Sequence, residues 1–402
     1  IMGTAYQPKI ITDGLAFIYD TGSGKSYKGE PTTNVNTLTL SDSGTDGSGQ
    51  SSVGTRTVIT DNHVRIVDVS SNTRQSHLIT GLTASTTYTI SIMYKKLDGT
   101  PTFRFQIQDY SGAAYLRTIK FTNTTEIGIE DREGWQQASW TFTLGSDANA
   151  VRIWYQDGAD YTTYTHSFEL QNPQLEAKSH ATPYVDGTRS ATQGLLDLTN
   201  TATIDISNAS FDSDAQMTFD GTDDYLTLGS NSTLQAIGSN ATIECWFKSS
   251  STVGSKFALM VGWGEGTSYY SNFGIGNWFS AWPDESIYVG VNSAAVVYAE
   301  RDGSAKYHDG NWHHAVGLIG QNNHKIFVDG SEVSVSFAYG SDSVSTSNIF
   351  GFSSGTEVYI GLRPYGNGHF QGDLPVVKIY DRLLTAAEVL QNFNASRDRF
   401  KI

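Results

Sequence analysis

ATIECWFK, residues 241–248, is a short run in which Ile243, Cys245 and Phe247 recur at every second position. This is the period of a β-strand, whose alternate side chains point to one face, so we predict a strand with Cys245 in the core. Further runs alternate in the same way between Gly, Asp or Asn residues, and they are 64–69, 88–94, 103–107, 140–144 and 151–155. Strands this short and evenly spaced predict an all-β protein made of jelly-roll β-sandwiches.

The composition fits many short strands that are joined by tight turns. The 402 residues include 40 glycines, and 12% are aromatic while only 17% are charged. The net charge of −15 repels phosphate backbones and anionic lipid, so no nucleic-acid partner and no membrane insertion are expected. Cys245 is the single cysteine, which excludes an intrachain disulfide.

One short helix is predicted near the C-terminus. Thr385 is a favourable N-cap residue, and Glu388 three positions later completes a capping box. Val389, Leu390 and Phe393 follow on one face of this helix. We therefore expect these three side chains to pack against a sandwich.

The second half of the chain resembles the laminin-G-like members of the concanavalin superfamily. The resemblance lies in ordered segments, which are 217–226 (MTFDGTDDYL), 241–248, 310–316 (GNWHHAV), 325–330 (KIFVDG), 359–373 and 377–388. The first half resembles carbohydrate-binding-module jelly rolls of tailed-phage structural proteins, in segments 29–34, 133–137, 174–178 and 181–184. The resemblance implies two jelly rolls that bind glycans.

Three segments follow from these resemblances. Residues 1–30 form an N-terminal arm, which resembles the first strand of a laminin-G-like domain; 31–188 form the carbohydrate-binding-module-like jelly roll; and 189–402 form the laminin-G-like sandwich. Two arrangements stay open. The first jelly roll is inserted into the second, or the two domains are in tandem after an arm.

The resemblance to phage proteins implies a virion surface protein, in a fibre, a baseplate or a capsid decoration, with a role in host adhesion. Its expected partners are a host-cell surface glycan and other virion proteins, and by analogy it forms a homo-oligomer such as a trimer. A purely structural assembly protein is one alternative. A bacterial secreted protein that binds or degrades glycans is the other.

Catalysis is not expected from the sequence. The stretch EIGIE at 126–130 is the nearest approach to the paired glutamates of concanavalin-like glycanases, but Gly128 occupies the position of their central aspartate. Neither a nucleophile elbow nor a zinc-protease motif occurs. The chain is therefore predicted not to be an enzyme.

Clustered aromatic residues are the candidate glycan-binding sites, because sugar rings stack on exposed aromatic faces. The first candidate patch consists of Trp263, Tyr269, Tyr270, Trp278 and Trp282, with Tyr365 and His369 in a rim loop. The second candidate patch consists of Trp154, Tyr155, Tyr161 and Tyr164. The alternative is that these rings fill a core or a subunit interface.

No cofactor is certain, and calcium is the candidate. Asp220, Asp223, Asp224 and Asp373 could supply the oxygen ligands that calcium prefers. The alternative is that these aspartates accept hydrogen bonds from the backbone of their own turns.

Overall fold

The computed structural model of the chain describes residues 9–36, 55–67, 74–97, 103–121, 133–157, 167–212, 216–238, 240–250, 257–265, 268–276, 286–291, 295–299, 307–320, 323–340, 357–363 and 368–402. The stretch 126–130, with its two glutamates, lies outside these residues.

The described residues are mostly β-strand. The elements in chain order are β1 (Leu15–Asp20), β2 (Thr32–Thr33), β3 (Thr55–Thr60), β4 (His63–Val67), β5 (Arg74–Thr80), β6 (Thr87–Lys96), β7 (Phe103–Ser111), β8 (Ala114–Phe121), β9 (Trp135–Thr143), β10 (Ala150–Asp157), β11 (Phe168–Glu176), β12 (Thr188–Arg189), β13 (Asp205–Asn208), β14 (Ser210–Phe211), β15 (Met217–Asp220), β16 (Tyr225–Gly229), α1 (Ser232–Gln235), β17 (Asn240–Lys248), β18 (Phe257–Glu265), β19 (Ser268–Gly276), β20 (Ser286–Val291), β21 (Ala295–Ala299), β22 (Trp312–Gly320), β23 (Lys325–Val328), β24 (Ser331–Val333), β25 (Val335–Gly340), β26 (Glu357–Ile360), β27 (Leu362–Arg363), β28 (Gly368–His369), β29 (Gln371–Tyr380) and α2 (Ala386–Phe400).

The chain divides into two compact units. Unit 1 comprises residues 1–31, 190–212 and 216–402, and unit 2 comprises residues 32–189 with 213–215. In this division unit 2 interrupts unit 1. Its entry and exit strands, β2 and β12, pair with each other through Thr32 opposite Arg189.

Unit 1 is a sandwich of two antiparallel sheets. The first sheet has the order β14-β15-β29-β17-β22-β23-β24, with β1 also paired to β29, and the second has the order β13-β16-β26-β18-β19-β20-β21-β25. Ile243, Cys245 and Phe247 on β17 are fully buried in the core between the sheets. Burial raises the pKa of the Cys245 thiol well above its ordinary value, as expected for an inert core cysteine.

The opposite face of the first sheet is covered by α2. Thr385 caps this helix in a capping box with Glu388, as predicted. Phe393 and Phe400 stack on Trp246 of β17, with ring centroids 5.8 and 4.1 Å away. The predicted packing face is wrong at Leu390, which is 47% exposed, because only Val389 and Phe393 point at the sheet.

Unit 2 is a smaller sandwich. Its sheets have the orders β5-β10-β7-β8 and β3-β4-β11-β6-β9. Ile90 and Ile92 of β6 and Ile153 of β10 belong to one hydrophobic core. The all-β fold and the C-terminal helix predicted from the sequence are thus confirmed, whereas the four-residue helix α1 was not predicted.

Candidate functional site

The predicted aromatic patches are largely buried where the structure describes them. Trp263 of β18 is completely buried in the core of unit 1, so its assignment to a sugar-stacking surface is wrong. Trp154 of β10 is only 7% exposed, and its indole N–H donates to the side-chain oxygen of Gln108 over 3.0 Å. Inward alternation along β18 explains the burial of Trp263. Trp154, in contrast, follows the core residue Ile153, points to the other face of its sheet and is covered there by Arg152.

Other members of these patches are only partly described. Tyr155 belongs to β10, and Tyr269 and Tyr270 belong to β19, but their side chains lie outside the description. Tyr161, Tyr164, Trp278, Trp282 and Tyr365 lie outside the described residues altogether. Their predicted role in glycan binding stays a prediction.

The turn after β15 brings three of the predicted calcium ligands together. Carboxylate oxygens of Asp220, Asp223 and Asp224 lie within 4.8 Å of one another. One of these carboxylates also stabilises the turn: Asp220 Oδ1 accepts hydrogen bonds from the backbone N–H groups of Thr222 and Asp223, over 2.7 and 3.2 Å. Both interpretations of the aspartates fit this geometry. Asp373, the fourth predicted ligand, does not belong to the group.

The protonation of this turn follows from its surroundings. Asp224 is buried, and burial raises the pKa of its carboxyl. The pKa of Asp220 is lowered, mainly by the hydrogen bond from the Thr222 N–H. The exposed Asp220 therefore carries the more stable negative charge of the two.

His369 connects the turn to the hairpin of β27 and β28. Its Nδ1 lies 3.4 Å from the carbonyl oxygen of Asp224. Its ring centroid lies 6.4 Å from that of Tyr225, the first residue of β16. His369, a partly buried member of the predicted rim loop, therefore lies next to the turn that contains Asp220, Asp223 and Asp224, which we call the aspartate turn.

Tyr225 lies beside His369, and Tyr359 lies beside Tyr225, on the outer face of the second sheet. Tyr225 and Tyr359 have ring centroids 6.0 Å apart in an edge-to-face arrangement, and both rings are partly buried. They point outward because their strand neighbours Leu226 and Ile360 point into the core. On the adjacent strand, Gly262 stands opposite Tyr359, so the residue directly opposite has no side chain to cover the ring.

A carboxylate completes the group. The Tyr359 hydroxyl donates a hydrogen bond to Glu357, and burial together with this carboxylate raises the pKa of Tyr359. We call Tyr225, Tyr359, Glu357 and His369 the tyrosine site. It offers aromatic faces next to carboxylate and imidazole groups, which can pair with the C–H faces and hydroxyls of a sugar.

Sequence reasoning did not select Tyr225, Tyr359 or Glu357. The signal was available in part, because Tyr225 and Tyr359 each stand one position before a buried apolar residue of a short strand. The pairing of β16 with β26, which brings Thr227 opposite Tyr359, could not be read from the sequence.

Residues 220–390 match the family model described as the concanavalin A-like lectin/glucanases superfamily. Unit 1 therefore has, over this segment, the jelly-roll fold of those carbohydrate-binding proteins and glucanases. A search of curated proteins gives no match to the chain.

Solved structures of low identity are also similar. Domain 4 of the extracellular GH43 arabinanase AbnA from Geobacillus stearothermophilus, in complex with arabinotriose, is 12% identical over 50% of this chain and 92% of that one, with a TM-score of 0.35. The sialidase of Trypanosoma rangeli is 11% identical over 85% of this chain, with a TM-score of 0.37, and the match spans 62% of the sialidase chain. The CBM40 of the Ruminococcus gnavus IT-sialidase, bound to α2,3 sialyllactose, is 16% identical over 40% of this chain and 84% of that one, with a TM-score of 0.25.

These findings correct one expectation. The prediction that the chain is not an enzyme is contradicted, since the family matched by residues 220–390 is described as comprising glucanases as well as lectins. Within the described residues, no helix has the length and apolar character needed to cross a membrane.

Proposed function

We propose that unit 1 binds a glycan at the tyrosine site, as the recognition surface of a glycan-binding or glycan-degrading protein. The observation that carries this proposal is the pair of partly exposed rings, Tyr225 and Tyr359, next to Glu357 and His369. The match of residues 220–390 to a lectin and glucanase family supports it.

The chemistry of the site suits a sugar better than an apolar ligand. A pyranose ring presents an apolar C–H face that packs on tyrosine, while its hydroxyls need hydrogen-bond acceptors at the edge of the ring. Glu357, which accepts the hydrogen bond of the Tyr359 hydroxyl, and the exposed Asp223, two residues before Tyr225, supply such acceptors. Such exposed sites bind single sugars weakly, and many copies raise the avidity by about 10²–10⁴.

The test is a glycan array probed with the full chain displayed in many copies on beads. We expect binding to a defined glycan set, and at least tenfold weaker binding by the double variant Tyr225→Ala/Tyr359→Ala, which corresponds to about 1.4 kcal/mol. Tyr115→Ala is the matched control, because this tyrosine of unit 2 is 54% exposed and lies outside the tyrosine site. Binding that survives the double variant would remove the tyrosine site from the proposal.

Two further arms use the same array. A chelator that abolishes binding would assign calcium to Asp220, Asp223 and Asp224, whereas unchanged binding would leave them their role in the turn. Bound glycans are also assayed for new reducing ends, because glycan degradation would make the chain an enzyme.

A folded chain that binds no glycan would favour the alternative of a structural assembly protein.

The finer proposal is a location on the surface of a tailed-phage virion, with other virion proteins as partners and a trimeric assembly. It is supported by the resemblance of segments 29–34 and 133–137 to phage jelly rolls. Mass spectrometry of purified particles tests it. Absence of the chain from particles would favour the secreted bacterial alternative.

A further inference from the structure

Unit 1 contains a cavity of about 440 Å³ that is distinct from the tyrosine site. Its walls come from the residues after β1, the start of β15, the start of β29 and the end of α2. Its lining includes Tyr27, Asp212, Trp312, Asp373, Arg399 and Phe400. The volume is within the range of about 300–1,000 Å³ that small-molecule sites occupy.

One wall of the cavity is an aromatic surface held in place from behind. The partly buried ring of Trp312 lies 4.9 Å from the ring of Phe400. Phe400 is itself stacked on Trp246, which is completely buried. The Lys248 ammonium group also lies over the Trp312 ring, 5.8 Å from its centroid, so a flat ligand that stacks on this positioned ring does so next to a cation.

Asp212 and Asp373 form the acidic side of the cavity. Asp373 is partly buried, and among the residues that the structure describes its carboxylate forms neither a hydrogen bond nor an ion pair. Burial raises its pKa, and the charge of Asp212 raises it further against the opposing effect of Lys248. A ligand hydroxyl that donates to Asp373 would satisfy this acceptor.

Arg399 forms the other polar wall and is fixed in position. It is paired with Asp20, and its guanidinium lies 4.9 Å from the ring of Phe400. A Cβ added at Gly22 would stand 2.3 Å from the guanidinium carbon of Arg399, so a larger residue at position 22 would displace the end of this side chain. The N–H groups that Asp20 does not use can donate to a ligand oxygen.

We infer that this cavity is a second carbohydrate-binding site, which takes a neutral pyranose stacked on Trp312 with a hydroxyl hydrogen-bonded to Asp373. The ring supplies the stacking face, and the carboxylate and guanidinium supply an acceptor and a donor at its edge. A neutral sugar is favoured over an anionic one because two carboxylates (Asp212, Asp373) line the cavity with one cation, Arg399, which is already paired with Asp20.

The experiment separates this cavity from the tyrosine site. The full-length Tyr225→Ala/Tyr359→Ala variant is titrated by calorimetry with maltose, cellobiose and lactose, and with 3′-sialyllactose as the anionic comparison. We expect one of the neutral disaccharides to bind. Adding Asp373→Ala should weaken that binding at least tenfold, and Asp373→Asn should weaken it less, since the amide retains an acceptor. Asp398→Ala is the matched control, because this carboxylate is exposed and does not line the cavity.

The outcomes are distinguishable from those of the proposed function. If the wild-type chain binds glycans and the double tyrosine variant binds none, the cavity inference falls while the proposed function stands. Binding that Asp373→Ala leaves unchanged, or stronger binding of 3′-sialyllactose than of every neutral disaccharide, also overturns the inference. If Asp373→Ala unfolds, the decision rests on Asp373→Asn and on Trp312→Leu, which should each weaken binding in a chain with an unchanged circular dichroism spectrum.

Discussion

Glu244 is a fully buried carboxylate with three side-chain partners under α2. It accepts a hydrogen bond from His314 over 3.0 Å and one from Asn392 of α2 over 2.6 Å, and it forms an ion pair with the buried Lys378. Burial alone would raise the pKa of Glu244, but Lys378 and His314 lower it to about 2. Glu244 is therefore ionised at neutral pH, and its negative charge balances the positive charge of the buried Lys378.

Replacing that charge should destabilise unit 1. Glu244→Gln leaves Lys378 buried without a counter-charge, so we expect the free energy of unfolding to fall by about 3–5 kcal/mol. Urea unfolding of wild type and variant at pH 7 measures this change in the free energy of unfolding. Glu332→Gln is the control, because Glu332 forms an exposed ion pair with Lys325 at 2.9 Å, and it should cost less than about 1 kcal/mol. Equal effects of the two variants would contradict the prediction.

Lowering the pH should remove the contribution of Glu244 to the free energy of unfolding. In the unfolded chain this carboxyl has its ordinary pKa of 4.5, and in the folded chain a pKa of about 2. Because the folded value is the lower one, the stabilisation is complete above pH 4.5 and is lost as the pH falls towards 2. The difference in stability between wild type and Glu244→Gln should narrow by on the order of 3 kcal/mol over that interval. A difference that stays constant down to pH 2.5 would show that the pKa is not depressed.

At the scale of elements, α2 shows how a correct helix prediction can misplace one packing residue. The capping box of Thr385 and Glu388 fixes where the helix begins, and Arg382 strengthens it through an ion pair of 2.7 Å with Glu388. The side of the helix that meets the sheet depends on Trp246, which lies far away in sequence. That contact selects Phe393 and leaves Leu390 exposed.

The two positions of α2 should respond very differently to truncation. Phe393→Ala removes a buried ring from Trp246 and should cost about 3–5 kcal/mol in the free energy of unfolding. Leu390→Ala should cost about 1 kcal/mol or less, as expected for a residue that remains largely exposed. Thermal and urea unfolding of the two variants in parallel measure this, and similar costs would mean that Leu390 packs as the sequence alone suggested.

At the scale of the whole molecule, the core of unit 1 is formed by segments that precede and follow unit 2 in the sequence. Phe17 and Tyr19 of β1 are completely buried, and β1 pairs with β29 through Phe17 opposite Ile379. The Tyr19 hydroxyl also donates to the carbonyl oxygen of Leu374 over 2.7 Å. The first strand is thus an integral part of a sandwich completed more than three hundred residues later.

This arrangement predicts which truncations fold. A chain in which residues 32–189 are replaced by a short Gly/Ser linker should fold and unfold cooperatively in urea. Thr32 and Arg189 are paired neighbours, so the linker has only a short distance to span between residues 31 and 190. Residues 190–402 alone lack Phe17 and Tyr19, whose loss at about 3–5 kcal/mol each is comparable with the whole stability of a domain. We expect that fragment not to fold. The opposite result would mean that the two units are independent tandem domains.

The fold class, the core position of Cys245 and the capped helix could be predicted from the sequence, because strand alternation and capping are local patterns of a few residues. Which aromatic rings are exposed depends on how the strands pair and pack. Trp263 is an aromatic on a strand, as are Tyr225 and Tyr359, yet strand pairing buries the first and leaves the other two partly open on the outer face. The tertiary structure also separates Asp373 from the aspartate turn and places it in a cavity with Trp312 and Arg399. Long-range sheet register and helix packing bring such residues together, and no local pattern encodes either.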